Sequence, residues 1–166
     1  MKKLIFSMAM FAILLFIACN NTKKEQGMKE SDKQISNDIF PKGEKASSDY
    51  FTGAVSVNML VQRDENNNYT VADVKFEPSA KTNWHTHPVG QVLLVTEGQG
   101  YYQEKGKPAR KLSKGDVVII PANVEHWHGA THDSHFTHIA ITNYKENVNV
   151  VWLKPVTEEE YNSLLN

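Results

Sequence analysis

The stretch WHTHPVGQVLLVTEGQG, residues 84–100, decides the fold. His85 and His87 stand two apart, and in an extended strand that spacing points both side chains to one face. Both imidazoles can then reach a single ion. Pro88 cannot donate to a sheet ladder and Gly90 permits tight geometry, so the chain is expected to turn there, and Gln91 opens a returning strand. Residues 92–95 are apolar throughout, as in a strand buried on both faces, and Glu97-Gly98-Gln99-Gly100 is expected to end it with a turn.

Outward from this stretch, short strands and turns repeat. Residues 54–61 alternate, with Val55, Val57 and Met59 on one face; in 69–76 the shared face is Ala72, Val74 and Phe76. Further strands are expected at 101–103, 110–112, 117–120, around His126-Trp127-His128, at 135–142 and at 148–153. In the strand 135–142, Phe136, His138, Ala140 and Thr142 share a face. This is the pattern of an all-β sandwich or barrel. Thr157 and Glu160 have capping-box spacing, which predicts a short C-terminal helix over 157–165.

The beginning of the chain reads differently. Met1-Lys2-Lys3 and the apolar run from Leu4 to Ala18 form a signal peptide over residues 1–18, too short and wrongly flanked for a membrane span. Cys19, the only cysteine, follows Phe16-Ile17-Ala18, which resembles the lipobox read before a lipid-modified N-terminal cysteine, with Phe16 in the usual leucine position. The expected location is therefore the exported, periplasmic or cell-envelope side, anchored to a membrane through acyl chains on Cys19. Residues 19–48 are polar and expected to be a flexible tether, with docking around Ile39-Phe40-Pro41 as the exception; residues 49–166 form the folded domain. Loss of Lys2 and Lys3 takes the net charge from −1 to −3. Basic residues are scattered, so no nucleic-acid groove is expected.

All seven histidines lie between positions 85 and 138. Imidazole is the commonest side-chain ligand for divalent transition metals, and His85, His87, Gln91 and His126 make a set that leaves open positions for water or substrate. Trp84 and Trp127 have the opposite strand parity and should face away from the ion. His132 and His135 are expected in loops or facing outward, and Asp73 and Glu77 at solvated positions. Ala72, Val74, Leu93 and Thr142 are candidate pocket walls, with core packing the favoured reading for each.

His85-x-His87, three residues, Gln91, six residues and Gly98 resemble the first cupin motif; Gly115, five residues, Pro121 and then His126 resemble the second. This resemblance implies a double-stranded β-helix, a jelly-roll barrel. WHTHPVGQ, HWHGA at 126–130 and the Thr137-His138 pair further resemble manganese-containing cupins that include hydroxynitrile lyases. That likeness implies metal ligands at His85, His87, Gln91 and His126, one divalent ion per chain with manganese preferred over iron, nickel or zinc, and proton transfer through His138 and His128. Gln91 stands where glutamate is usual. The neutral amide leaves the ion a stronger Lewis acid and supports high oxidation states poorly. Implied, then, is a metal-dependent enzyme acting on a small hydroxy or oxo compound, with carbon–carbon cleavage of a cyanohydrin as one form. A non-catalytic binding protein with a structural metal and an iron-dependent dioxygenase are the alternatives. A homodimer is expected, with the segment from Phe51 to Met59 as an edge or exchanged element.

Overall fold

Alternating burial follows the alternating sequence. The computed structural model describes residues 38–165, so the expected signal segment, Cys19 and the first part of the expected tether lie outside the described residues. In chain order the strands are β1 (Glu44–Lys45), β2 (Phe51–Thr52), β3 (Val55–Val61), β4 (Tyr69–Phe76), β5 (Lys81–Thr82), β6 (His85–Thr86), β7 (Gln91–Glu104), β8 (Arg110–Ser113), β9 (Val117–Ile120), β10 (His126–Ala130), β11 (Phe136–Asn143) and β12 (Val151–Trp152), followed by helix α1 (Glu158–Asn162).

These strands form two antiparallel sheets that share β7. One runs β1-β3-β4-β11-β7-β9; the other runs β8-β7-β10-β5-β2, with β6 against β10 and β12 against β6. The curled pair of sheets is a jelly roll with a short C-terminal helix, as the sequence leads one to expect.

Strand β7 corrects one expectation. No turn interrupts Glu97–Gly100; the strand continues to Glu104, pairing with β11 up to Gly98 and with β10 from Gly100 onward. Gly98 supplies the bend with φ of 68°, beside a register shift between Thr137 and His138. Its hydrogen lies against the His135 carbonyl, so a side chain there would collide with backbone. The glycines thus carry one strand round a corner between two sheets.

Residues expected in the tether also take part in the domain. β1 pairs with β3, Lys75 Nζ lies 3.0 Å from Asp38 Oδ1, and Asn58 Nδ2 donates to the Pro41 carbonyl at 3.0 Å. β1 therefore covers part of the β3 edge, while β2 pairs with β5 of the same chain. The strand expected over 148–153 shortens to β12, because Lys145 and Val148 close a tight turn with Glu146 at φ 56°.

The main core lies between the sheets, around fully buried Phe76, Leu93, Leu112 and Phe136. A second cluster joins Trp84 and Trp127 to Val156 and Tyr161 of the C-terminal segment, so both tryptophans face away from His85, His87 and His126. Thr157 caps α1 through a complete capping box with Glu160. Tyr161 donates to the Ala130 carbonyl at 2.7 Å, and buried Lys81 reaches Glu158 at 2.9 Å while lying 4.1 Å from the Tyr161 ring. The helix is therefore pinned to the back of the sheet whose front holds the histidines.

Candidate metal centre

Sheet register assembles the site. His85 on β6 stands opposite His126 on β10, and Trp152 on β12 stands opposite His85. His128 follows His126 by two residues and therefore shares its face. After β6 the chain turns through Pro88 and Gly90; the His87 carbonyl accepts from Gly90 N at 3.2 Å and Asn123 N at 2.8 Å. Gly90 has φ 85°, and a Cβ there would come within 2.5 Å of the Ile120 carbonyl, so glycine is required for the turn that returns Gln91 to the site.

The ring centroids of His85 lie 4.1 Å from His126, 5.1 Å from His87 and 5.4 Å from His128. His85, His126 and His128 bring one ring nitrogen each within 4.8 Å of one another, so these three buried histidines can hold an ion. Three rings are oriented by main-chain oxygens. Nδ1 of His85 donates to Asn83 at 2.9 Å, Nδ1 of His87 to Asn149 at 2.6 Å, and Nδ1 of His126 to Val124 at 2.9 Å. A carbonyl only accepts, so each Nδ1 carries the hydrogen and each Nε2 keeps its lone pair.

That arrangement fits a metal. Nε2 of His87, Oε1 of Gln91 and Nε2 of His126 are buried with no hydrogen-bond partner among the described residues. Gln91 Nε2 donates to Thr142 Oγ1 at 3.0 Å, which fixes the amide and leaves Oε1 for another partner. Three buried orphan acceptors in one place would cost several kcal/mol without a cation or donor to meet them, at about 1–3 kcal/mol each. Burial is also the main cause that lowers the pKa of every histidine here: His126 to about 4, His138 to about 3, His87 below its ordinary value, and His85 and His128 well below theirs. They are neutral at pH 7, the form that binds metal.

A cavity of about 140 Å³ opens beside this cluster. Its polar side carries His85, His87, Gln91, His128 and His138; its apolar walls are Phe51, Val57, Ala72, Val74, Ala140 and Trp152. His138 Nε2 and His128 Nδ1 are 3.2 Å apart. Among the expected wall residues, Ala72, Val74 and Thr142 line the cavity, whereas Leu93 is packed in the core. His135 is exposed and lies 3.6 Å from Glu97, and His132 stacks on Tyr161 at 4.3 Å, so neither joins the site. Sequence reasoning missed Phe51, Asn149 and Trp152. Their approach depends on long-range pairing of β2 and β12, which no local spacing reveals.

Residues 72–142 match the cupin domain family. The chain is 41% identical over 117 residues to an (R)-mandelonitrile lyase from Granulicella tundricola, covering 70% of this chain and 89% of the relative. This chain belongs to the cupin family. A crystal structure of a cupin-like protein from Thermotoga maritima superposes with a TM-score of 0.73 at 57% identity, covering 76% of this chain and 96% of that one. An acireductone dioxygenase from Leishmania braziliensis is 41% identical over 63 residues, 34% of this chain and 18% of that protein.

Proposed function

We propose that this cupin is a metal-dependent lyase that cleaves a small hydroxy compound, with a cyanohydrin such as mandelonitrile as the first substrate to test. The observation that carries the reading is the 3.2 Å contact between His138 and His128 in the wall of a cavity that also meets His85, His87 and Gln91. In this reading His85, His87, Gln91 and His126 hold one divalent ion, manganese preferred. Bound there, the ion would supply Lewis acidity toward the substrate oxygen.

The chain's own residues handle the proton. A neutral imidazole of the pair accepts the substrate hydroxyl proton; the oxygen electron pair forms the carbonyl as the bond to the nitrile carbon breaks, and cyanide leaves with that bonding pair. The second imidazole is within hydrogen-bond reach, so the proton can pass through the pair and be returned to cyanide as hydrogen cyanide. Val57, Ala72, Val74 and Ala140 give the organic group an apolar seat.

The test is aldehyde release from mandelonitrile by the manganese-loaded full chain. His138→Ala and His128→Ala should each lower kcat by about 10²–10⁴-fold; His138→Ala should leave metal content unchanged, and loss of metal in His128→Ala would place that ring among the ligands. Wild-type protein with one equivalent of metal and no aldehyde release overturns the reading. The local likeness to acireductone dioxygenase favours a second reading, oxygen chemistry on iron, and oxygen uptake by the iron-loaded protein would select it. If a small ligand binds but neither histidine variant changes any reaction, the chain is a binding protein.

Two expectations accompany this function. Acylation at Cys19 would hold the domain on a cell-envelope membrane, which radiolabelled palmitate incorporation lost in Cys19→Ser checks. A homodimer would cover the apolar outer face on which Leu94, Val117 and Ile119 are exposed; sedimentation at monomer mass at micromolar concentration refutes it.

A further inference from the structure

Two side chains of the proposed ligand set are held by a segment beyond the matched cupin domain, which ends at residue 142. Past the Lys145–Val148 turn, the chain comes back across the mouth of the site. The Asn149 carbonyl takes the Nδ1 hydrogen of His87 at 2.6 Å. Three residues later, Trp152 stands opposite His85 in the ladder, with ring centroids 4.8 Å apart and planes at 39°. Directly opposed residues of an antiparallel pair put their side chains on the same face, so the indole flanks the His85 ring by register.

Trp152 is itself braced. Tyr50 stacks on it at 4.9 Å with planes 19° apart, and Phe51 meets it edge-on at 5.5 Å. Next to it, Leu153 N donates to the Trp84 carbonyl at 2.8 Å and Trp84 N donates to the Lys154 carbonyl at 3.0 Å, so the segment is zipped to the residue preceding His85. Among the described residues, the His85 ring is hydrogen-bonded through Nδ1 to Asn83, which fixes one axis; rotation about that axis is restrained by what lies against the ring faces and edges. There the nearest rings are His126 at 4.1 Å and Trp152 at 4.8 Å, ahead of His87 at 5.1 Å and His128 at 5.4 Å.

We infer that the segment 149–152 is a latch for the metal centre, with Trp152 as the positioning residue that holds the His85 ring and the Asn149 carbonyl as the anchor that sets the His87 tautomer. This rests on the proposed ligand set and adds a part to it. Trp152 touches a ligand and lines the cavity; it donates no atom to the ion. Loosening it would leave the domain folded, since it lies outside both buried clusters, and would cost the site its preorganisation.

The test is manganese and zinc affinity of the full chain, measured by competition with a chromophoric chelator, for wild type, Trp152→Ala, Trp152→Phe and Leu153→Ala. Alongside it go the thermal midpoint of each metal-free protein and the visible spectrum of each cobalt-substituted protein. Trp152→Ala should weaken metal binding by about 10–100-fold, the usual range for residues that orient ligands, with a changed cobalt spectrum and a metal-free midpoint close to wild type. Trp152→Phe should recover most of the affinity, and Leu153→Ala, a neighbour whose side chain points away, should match wild type. Unchanged affinity in Trp152→Ala overturns the inference; so does an equal loss in Leu153→Ala, or a loss that tracks unfolding of the metal-free protein. The wild-type titration reads the metal site and the variants read the latch, so a metal-binding protein without lyase activity would refute the function and leave the latch standing.

Discussion

Lowering the pH of the metal-free protein from 7 to 5 should remove a large part of its stability. His126 and His138 keep pKa values of about 4 and about 3 in the folded chain because burial penalises the imidazolium, whereas an unfolded histidine titrates near 6.5. Between those values the unfolded state binds protons that the folded state refuses, so stability is highest above pH 6.5 and falls as the pH drops toward 4. At pH 5 the unfolded groups are almost fully protonated and the folded ones almost not. Each therefore costs roughly 2 kcal/mol relative to pH 7, about 4 kcal/mol for the pair. His85, His87 and His128 are lowered too and push the same way. A domain this size has some 5–15 kcal/mol to lose. Carboxylates lowered by their partners, such as Glu104 and Glu160, begin from 4.5 and act below the window. Urea unfolding of the chelator-treated protein at pH 7, 6 and 5, followed by tryptophan fluorescence, measures the slope. His138→Phe should reduce the loss by about half the pair's contribution. A stability equal at pH 7 and 5 would refute the burial of these histidines as neutral groups.

His126→Ala should purify with far less than one equivalent of metal by elemental analysis, since it removes one of the buried unpartnered nitrogens. Gln91→Glu should retain metal and bind it more tightly, in the same competition measurement, because it adds a negative charge at the ion. Phe76→Ala should destabilise by about 3–5 kcal/mol in urea, since Phe76 is fully buried and packs near Phe51, Phe136, His128 and His138. Gly98→Ala should destabilise strongly or fail to fold, judged by circular dichroism, because φ 68° and the His135 carbonyl both exclude a side chain.

What was legible in the sequence was local. Two histidines on alternate residues, the Pro88–Gly90 turn and the return of Gln91 are all contained in seven residues, so strand periodicity and turn chemistry were enough to place them. His138 could be put on an inward face with Phe136, Ala140 and Thr142 for the same reason, and all four are buried. Gly98 misled, because a glycine that bends a strand and one that ends it look alike without the partner strand. The role of 149–152 was invisible in principle: Asn149 acts through its carbonyl, which every residue has, and Trp152 meets His85 only once β12 is paired. The buried Lys81 was equally hidden, since its partners Glu158 and Tyr161 lie 77 and 80 positions away.

The main-chain oxygens that hold His85, His87 and His126 have an evolutionary and an engineering consequence. Orientation at these rings depends on where the backbone of Asn83, Asn149 and Val124 runs, and the side chains at those positions contribute nothing to the bonds. Point substitutions there leave the acceptors in place. Sequence drift can therefore rework the surroundings of the cluster, and a designer can resculpt Val57, Ala72, Val74 and Ala140 for a new guest, while the three Nδ1 bonds keep acceptors that no side-chain substitution removes.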